Sequence, residues 1–187
     1  MSNKEYSQLY DPAFLNKFGS KKEEIGQLTL HDDNPVIDLN QIANILGLEV
    51  TEEDLAVDGF FKKVDKHIVI NQNVSEGRKR FTLAHEIGHS QLGNDEPAIA
   101  FRGAESYTDD EQLKEVLANK FAAELLMPNK DLLIDLMKKA LCDLGADPQH
   151  FGYFERDLAL SDVSSRIKVS SEALKFRLLN LNVLRNN

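Results

Sequence analysis

Basic residues, cysteine and long apolar runs are all scarce in this 187-residue chain, and each shortage narrows what it can be. Lysine and arginine number 22 against 31 aspartates and glutamates, a formal net charge of -9 at pH 7. That balance argues against a protein that works by neutralising nucleic-acid phosphates over its whole surface, and leaves room only for a small basic patch. The single cysteine, Cys142, cannot form an intramolecular disulfide, which suits a reducing cytoplasm. No stretch reaches 18 consecutive apolar residues, and the opening MSNKEYSQLYDPAFLNKF lacks the apolar centre of a signal peptide. A cytoplasmic protein with no membrane segment is therefore expected. Neither an internal repeat nor a low-complexity tract is visible, and at 42% apolar residues the chain is long enough to bury a sizeable core.

What is present divides into four stretches. Residues 1 to about 47 read as mainly helical. Phe14, Leu15 and Phe18 share one face, Ile42, Ile45 and Leu46 another, and Gly47 is a helix stop. "GFFKKVDKHIVIN" offers two β-rich runs, Phe60 to Val64 and His67 to Ile70, turning at Asp65 and Lys66, which predicts a hairpin. A loop, "NVSEGRKR", leads to a helix over Phe81 to Leu92, with Thr82 as cap and Gly93 as stop. The acidic "GNDEPAIAFRGAESYTDDEQ" reads as a long surface loop bordering a cleft. Thereafter helices are expected at Glu111 to Met127, ended by Pro128, at Asn129 to Leu144, and as a terminal pair hinged near Val169 and Ser170.

The densest chemistry lies in "RFTLAHEIGH". Four residues of helix advance about 400°, so His85 and His89 point the same way one turn apart, where both imidazoles can reach one ion. Glu86 sits about 100° round from His85, unsuited to share the metal yet able to reach a water bound to it. The spacing thus supplies two ligands and a general base. Chance placement of the chain's 5 histidines and 15 glutamates would produce H-E-x-x-H only about 0.01 times. The bland alternative is a helix with two ordinary histidines, one buried and one exposed. Gly88 speaks against it, because glycine inside a helix costs about 1 kcal/mol relative to alanine and implies a close approach to the backbone.

A catalytic zinc site keeps three protein ligands and one open position. No third histidine follows His89 at short spacing, so a carboxylate from a second helix is the better candidate. On "EVLANKFAAELLMP", Glu115, Ala118, Asn119 and Ala122 share a face whose small residues permit close helix packing. Glu115 would then point at the ion. Periodicity alone leaves it level with a solvated glutamate paired to a lysine, and leaves Glu111, Glu124, Asp109 and Asp110 as competitors.

Together, "RKRFTLAHEIGH" and "EVLANKFAAELLMP" resemble the ImmA/IrrE family of bacterial and phage zinc metallopeptidases. The likeness is close over Arg78 to Pro128, weaker in "VIDLNQIANILGLEV", the hairpin and "VSSRIKVSSEALKFRLLNL", and has no counterpart in residues 1 to 30. By motif position it implies His85, His89 and Glu115 as metal ligands and Glu86 as catalytic glutamate. It further implies zinc and a protein substrate, a helix-turn-helix repressor of a phage, mobile element or stress circuit; affinity order alone does not separate manganese from zinc as the metal. The chain is expected to be the freestanding form, too short at its N-terminal side to add a DNA-binding domain. The expected fold is α+β: a mainly helical zincin-like metallopeptidase domain over residues 1–145, with N-terminal helices and a small β-sheet or hairpin, and a helix-turn-helix-like C-terminal pair over 146–187 packed on it. Arg78 and Arg80 match basic positions of the family, with structural pairing as their expected role.

An oxyanion-stabilising partner has no diagnostic spacing: His31, His67, His150, Tyr107 and Tyr153 are all conceivable. Two other functions compete with proteolysis. One is DNA binding through "DLALSDVSSRIKVSSEALKFRLLNLN", with Ser170 to Asn182 as the second helix and Arg166, Lys168, Lys175 and Arg177 on phosphates. Against it stand the acidic balance and the core-like Leu174, Phe176, Leu178, Leu179 and Leu181. The other is a non-proteolytic metal scaffold that sequesters a partner, which would have no use for Glu86.

Overall fold

The computed structural model describes residues 3–92 and 109–184. Its N-terminal stretch is helical, as its patterning predicts, but broken into short pieces: α1 (Tyr6–Leu9), α2 (Pro12–Leu15), a 3-10 turn (Asn16–Lys21) and α3 (Lys22–Gly26). Asp11 caps α2 by accepting the Ala13 N–H at 2.7 Å, and Pro12 takes the first helical position, where no N–H is needed. Two short strands, β1 (Lys4–Glu5) and β2 (Thr29–Leu30), pair antiparallel around these helices, which the sequence did not suggest. α4 (Leu39–Leu46) buries Leu39, Ile42 and Ala43 and ends at Gly47 with φ 69°, a left-handed stop.

The short helices line up aromatic rings. Tyr6, Tyr10, Phe14 and Phe18 form a chain with centroid spacings of 5.6, 5.0 and 5.7 Å, and Phe14 and Phe18 both lie against Phe121, at 5.0 and 5.6 Å. Such ring pairs add about 0.5–1.5 kcal/mol each beyond the area they bury. These N-terminal helices therefore form the back wall of the helix that carries Phe121.

A second sheet holds three strands: β3 (Glu49–Glu53), β4 (Gly59–Lys62) and β5 (His67–Asn71), in the order β3-β5-β4. The predicted hairpin is β4 and β5, antiparallel with Phe60 opposite Val69, and Lys66 makes the turn at φ 50°. β3 was not foreseen; it runs parallel to β5, pairing Glu49 with His67 and Glu53 with Asn71. Its glutamates are exposed, as on an edge strand, whereas Ile68, Val69 and Ile70 of the central strand are all buried.

Against this sheet lies α5 (Glu76–Leu92), which begins five residues before the expected Phe81. Thr82 is consequently not a cap but a fully buried residue inside the helix. The added turn is anchored by tertiary contacts: Arg78 pairs with Asp58, Lys79 with Glu52, and Arg80 donates to the Ile37 carbonyl at 2.8 Å. Gly93 and the stretch up to residue 108 lie outside the described residues. α6 (Asp109–Leu126) starts two residues earlier than expected, drawing Asp109 and Asp110 out of the predicted loop.

After Pro128 comes α7 (Lys130–Asp143), capped by Asn129, whose Oδ1 accepts the Leu132 N–H at 2.8 Å. The terminal pair is α8 (Tyr153–Arg166) and α9 (Ser171–Asn180), with Ser170 capping α9 at the predicted hinge. One buried apolar cluster runs from Tyr6 through Ile68, Ile87 and Phe121 to Leu178. The architecture is α+β, a mainly helical zincin-like domain with small sheets. Among the described residues, no helix is long and apolar enough to cross a membrane.

Candidate metal centre

The site is made where α5 crosses α6. Gly88 allows the crossing: a Cβ there would stand 3.1 to 3.3 Å from the ring and Cβ of Phe121, tighter than ordinary carbon contact. On α6, Ala118 and Ala122 are fully buried and add no bulk to the packed side of the helix. The backbones approach closely enough for short polar side chains from both helices to meet.

They meet at three ligand atoms. His85 Nε2 and His89 Nε2 lie 2.9 Å apart, the Glu115 carboxylate is 3.0 Å from His89 Nε2, and its other oxygen is 3.4 Å from His85 Nε2. Two atoms bound about 2.0–2.1 Å from one tetrahedral ion stand about 3.3 Å apart, so this triangle has nearly the size that a single ion requires. The donor set fits as well: two imidazoles and a carboxylate suit zinc and other borderline divalent ions. Hydrogen bonding to His85, and next to His89, holds the Glu115 carboxyl well below the usual carboxylate range, outweighing the opposing effect of partial burial. Glu115 is thus ionised at neutral pH, the form a ligand must have.

Burial grades across the triangle. His85 is fully buried and His89 and Glu115 half-buried, so the group opens to solvent on the side away from His85. Glu86 is 3% exposed and sits in the buried run Thr82 to Gly88, about 100° round the helix from His85.

Among the described residues, His85, His89 and Glu115 are the acidic, histidine or cysteine side chains whose ligand atoms cluster in this way, all within 4.8 Å of one another. Of the competing carboxylates, Glu124 is paired with Lys17 at 3.1 Å, Asp110 is exposed, and Glu111, a turn before Glu115, is not in the cluster. The conceivable oxyanion partners stand elsewhere. His67 is bonded to Thr51 across the sheet at 2.8 Å, His150 pairs with Asp147 at 3.0 Å, and Tyr153 is exposed beside Arg156. His31 lines a separate cleft with Asp32 and Arg166, and Tyr107 lies outside the described residues.

One residue near the triangle escaped sequence reasoning. Asn119 Oδ1 lies 2.9 Å from His85 Nδ1, on the far side of the ring from the ligand atom. Its signal was present, four residues after Glu115 on the same helical face, but nothing in the sequence says which side chain it meets. Asn119 also borders a groove of about 650 Å³, walled by Phe81, Ala123 and Met127 and, from α9, Phe176 and Arg177.

Two of the four basic residues considered for DNA contact, Arg177 and Arg166, take other roles, while Lys168 and Lys175 are exposed. Arg177 donates to the carbonyls of Met127 and Pro128, at 3.1 and 3.2 Å, fastening α9 to the end of α6. Arg166 pairs with Asp143 at 3.0 Å and Asp162 at 2.8 Å. Leu174 and Leu178 are buried as expected, whereas Phe176 is not core but 59% exposed, because α9 packs through its other face.

Comparison with known proteins supplies an independent view. Residues 41–179 match the family described as the IrrE N-terminal-like domain, peptidase M78. The chain is similar to an uncharacterized immunity region protein 2 of Bacillus phage phi105, 33% identical over 93 residues, covering 48% of this chain and 58% of that protein. It is also similar to the radiation response metalloprotease IrrE of Deinococcus deserti, 35% identical over 122 residues, 65% of this chain and 38% of that one. The IrrE of Deinococcus radiodurans is 33% identical over 122 residues, 65% and 33% of the two chains. The chain therefore spans less than two thirds of the length of each of these relatives.

Proposed function

Because the chain belongs to the IrrE N-terminal-like domain family of metallopeptidases, we propose that it is a zinc-dependent endopeptidase with His85, His89 and Glu115 as metal ligands and Glu86 as general base. The observation that carries this reading is the convergence of His85 Nε2, His89 Nε2 and the Glu115 carboxylate, from two helices distant in sequence, onto a triangle the size of one ion's coordination shell.

When bound, a zinc ion in such a site polarises a carbonyl and lowers the pKa of water to about 7. The chain's own residues do the rest. His85 and His89 would hold the ion through ring nitrogens, and Glu115 through an anionic oxygen that offsets part of the positive charge. Glu86 accepts the proton of the attacking water and returns it to the departing amine, a role that suits a buried carboxylate one helical step from the ligands. The substrate on this reading is a protein, a helix-turn-helix repressor of a phage, mobile element or stress circuit. The similarity to a phage immunity region protein supports that setting.

The test is co-expression with candidate repressors encoded nearby. The intact chain is expected to cleave one of them, whereas Glu86→Gln should keep its metal and lose at least about 10²-fold in rate. Full activity in that variant would sink the assignment of Glu86.

A further inference from the structure

We infer that Asn119 is a positioning residue of the metal centre: its side-chain oxygen selects the histidine tautomer that lets His85 bind a metal. The inference rests on the reading of His85 as a ligand. The 2.9 Å contact joins Asn119 Oδ1 to His85 Nδ1. A carbonyl oxygen can only accept, so a proton is held on Nδ1, and Nε2, the atom facing His89 and Glu115, is the ring nitrogen left for a metal. Were the amide turned round, its NH2 would donate to Nδ1, the proton would move to Nε2, and the ligand would be lost. Metal-bound histidines commonly have such a partner on their second nitrogen, and removing it typically costs about 10- to 100-fold in metal affinity.

Three features make Asn119 suited to this role. It follows Glu115 by one helical turn, so one face of α6 both supplies a ligand and orients another. His85 is fully buried, and between the two helices its Nδ1 has no bulk water to define its protonation. Asn119 itself is exposed along the groove beside Phe81 and Met127, so its replacement leaves no hole in the core. Its role is therefore separable from folding, unlike that of Phe121 two residues on.

The decisive measurement is Zn2+ affinity by competition with a chromophoric chelator, for the unaltered chain, Asn119→Ala and Asn119→Asp. Asn119→Ala should bind zinc about 10- to 100-fold more weakly, with the thermal unfolding of the metal-free protein unchanged. Asn119→Asp, which keeps an acceptor oxygen, should restore the affinity. Nitrogen NMR of the zinc-loaded unaltered chain should show the His85 proton on Nδ1. Zinc affinity within twofold of the unaltered chain in Asn119→Ala, or failure of Asp to rescue, would overturn the inference while leaving the metal centre standing; a proton on Nε2 in the zinc-loaded chain would overturn both the inference and the reading of His85 Nε2 as a ligand. Failure of the unaltered chain to bind zinc would overturn both.

Discussion

Two helix pairs in this molecule carry polar residues in suggestive patterns, and they use them in opposite ways. Where α5 crosses α6, His85, His89 and Glu115 turn toward one another, their nitrogen and oxygen atoms forming a triangle with edges of 2.9 to 3.4 Å. In α8 and α9 the notable polar residues turn toward groups that neutralise or satisfy them: Arg166 toward Asp143 and Asp162, Arg177 toward two backbone carbonyls. A charge matched by its complement is structural, whereas two imidazoles and a carboxylate gathered at the spacing of one ion's coordination shell are what a cation site needs. Both pairs advertise function in the sequence, and only the direction of the side chains separates them.

The comparison predicts unequal consequences of mutation. The largest belongs to the first pair: His85→Ala should abolish stoichiometric zinc binding and with it proteolysis, as measured by metal analysis of the purified protein and by cleavage of a repressor substrate. Stripping the unaltered protein with a chelator should reproduce the loss of activity, and added zinc should reverse it. Next comes the crossing itself. Gly88→Val would force a branched side chain into Phe121, at a cost of up to about 3 kcal/mol in denaturant unfolding, and should weaken zinc binding by separating Glu115 from the histidines. The smallest effect belongs to the second pair. Arg177→Ala removes two charge-assisted bonds to the end of α6 and should cost about 1.5 kcal/mol of stability, with zinc affinity unchanged. A gel shift with random duplex DNA at low salt should show no binding before or after that change; retarded DNA would restore the nucleic-acid reading of the C-terminal helices.

How far the sequence foretold these differences depended on the range of the interactions involved. The i, i+4 histidines and the face shared by Glu115, Ala118, Asn119 and Ala122 are local periodicities, visible without any partner. Gly88 announced a close approach by its cost to the helix, but not that Phe121 makes it. β3 went unseen because an edge strand needs little apolar alternation, and Glu49, Glu52 and Glu53 supply none. The first turn of α5 was missed because its residues are held by Asp58, Glu52 and Ile37, partners far away along the chain. Phe176 read as core because apolarity does not say which face of a helix is covered. Asn119 was placed on the correct face, yet its contact with His85 exists only once two helices are docked.

The aromatic chain from Tyr6 to Phe18 ends on Phe121, and Phe121 rests on the bare backbone of Gly88 between the two histidines' turns. The boundary of family likeness at residue 41 is accordingly not a boundary of cooperativity. A chain trimmed to the matching region would hand the ring of Phe121 to water and release the helix of Glu115 and Asn119 from behind. The aromatic residues that precede the matching region are the keystone under the helix crossing within it.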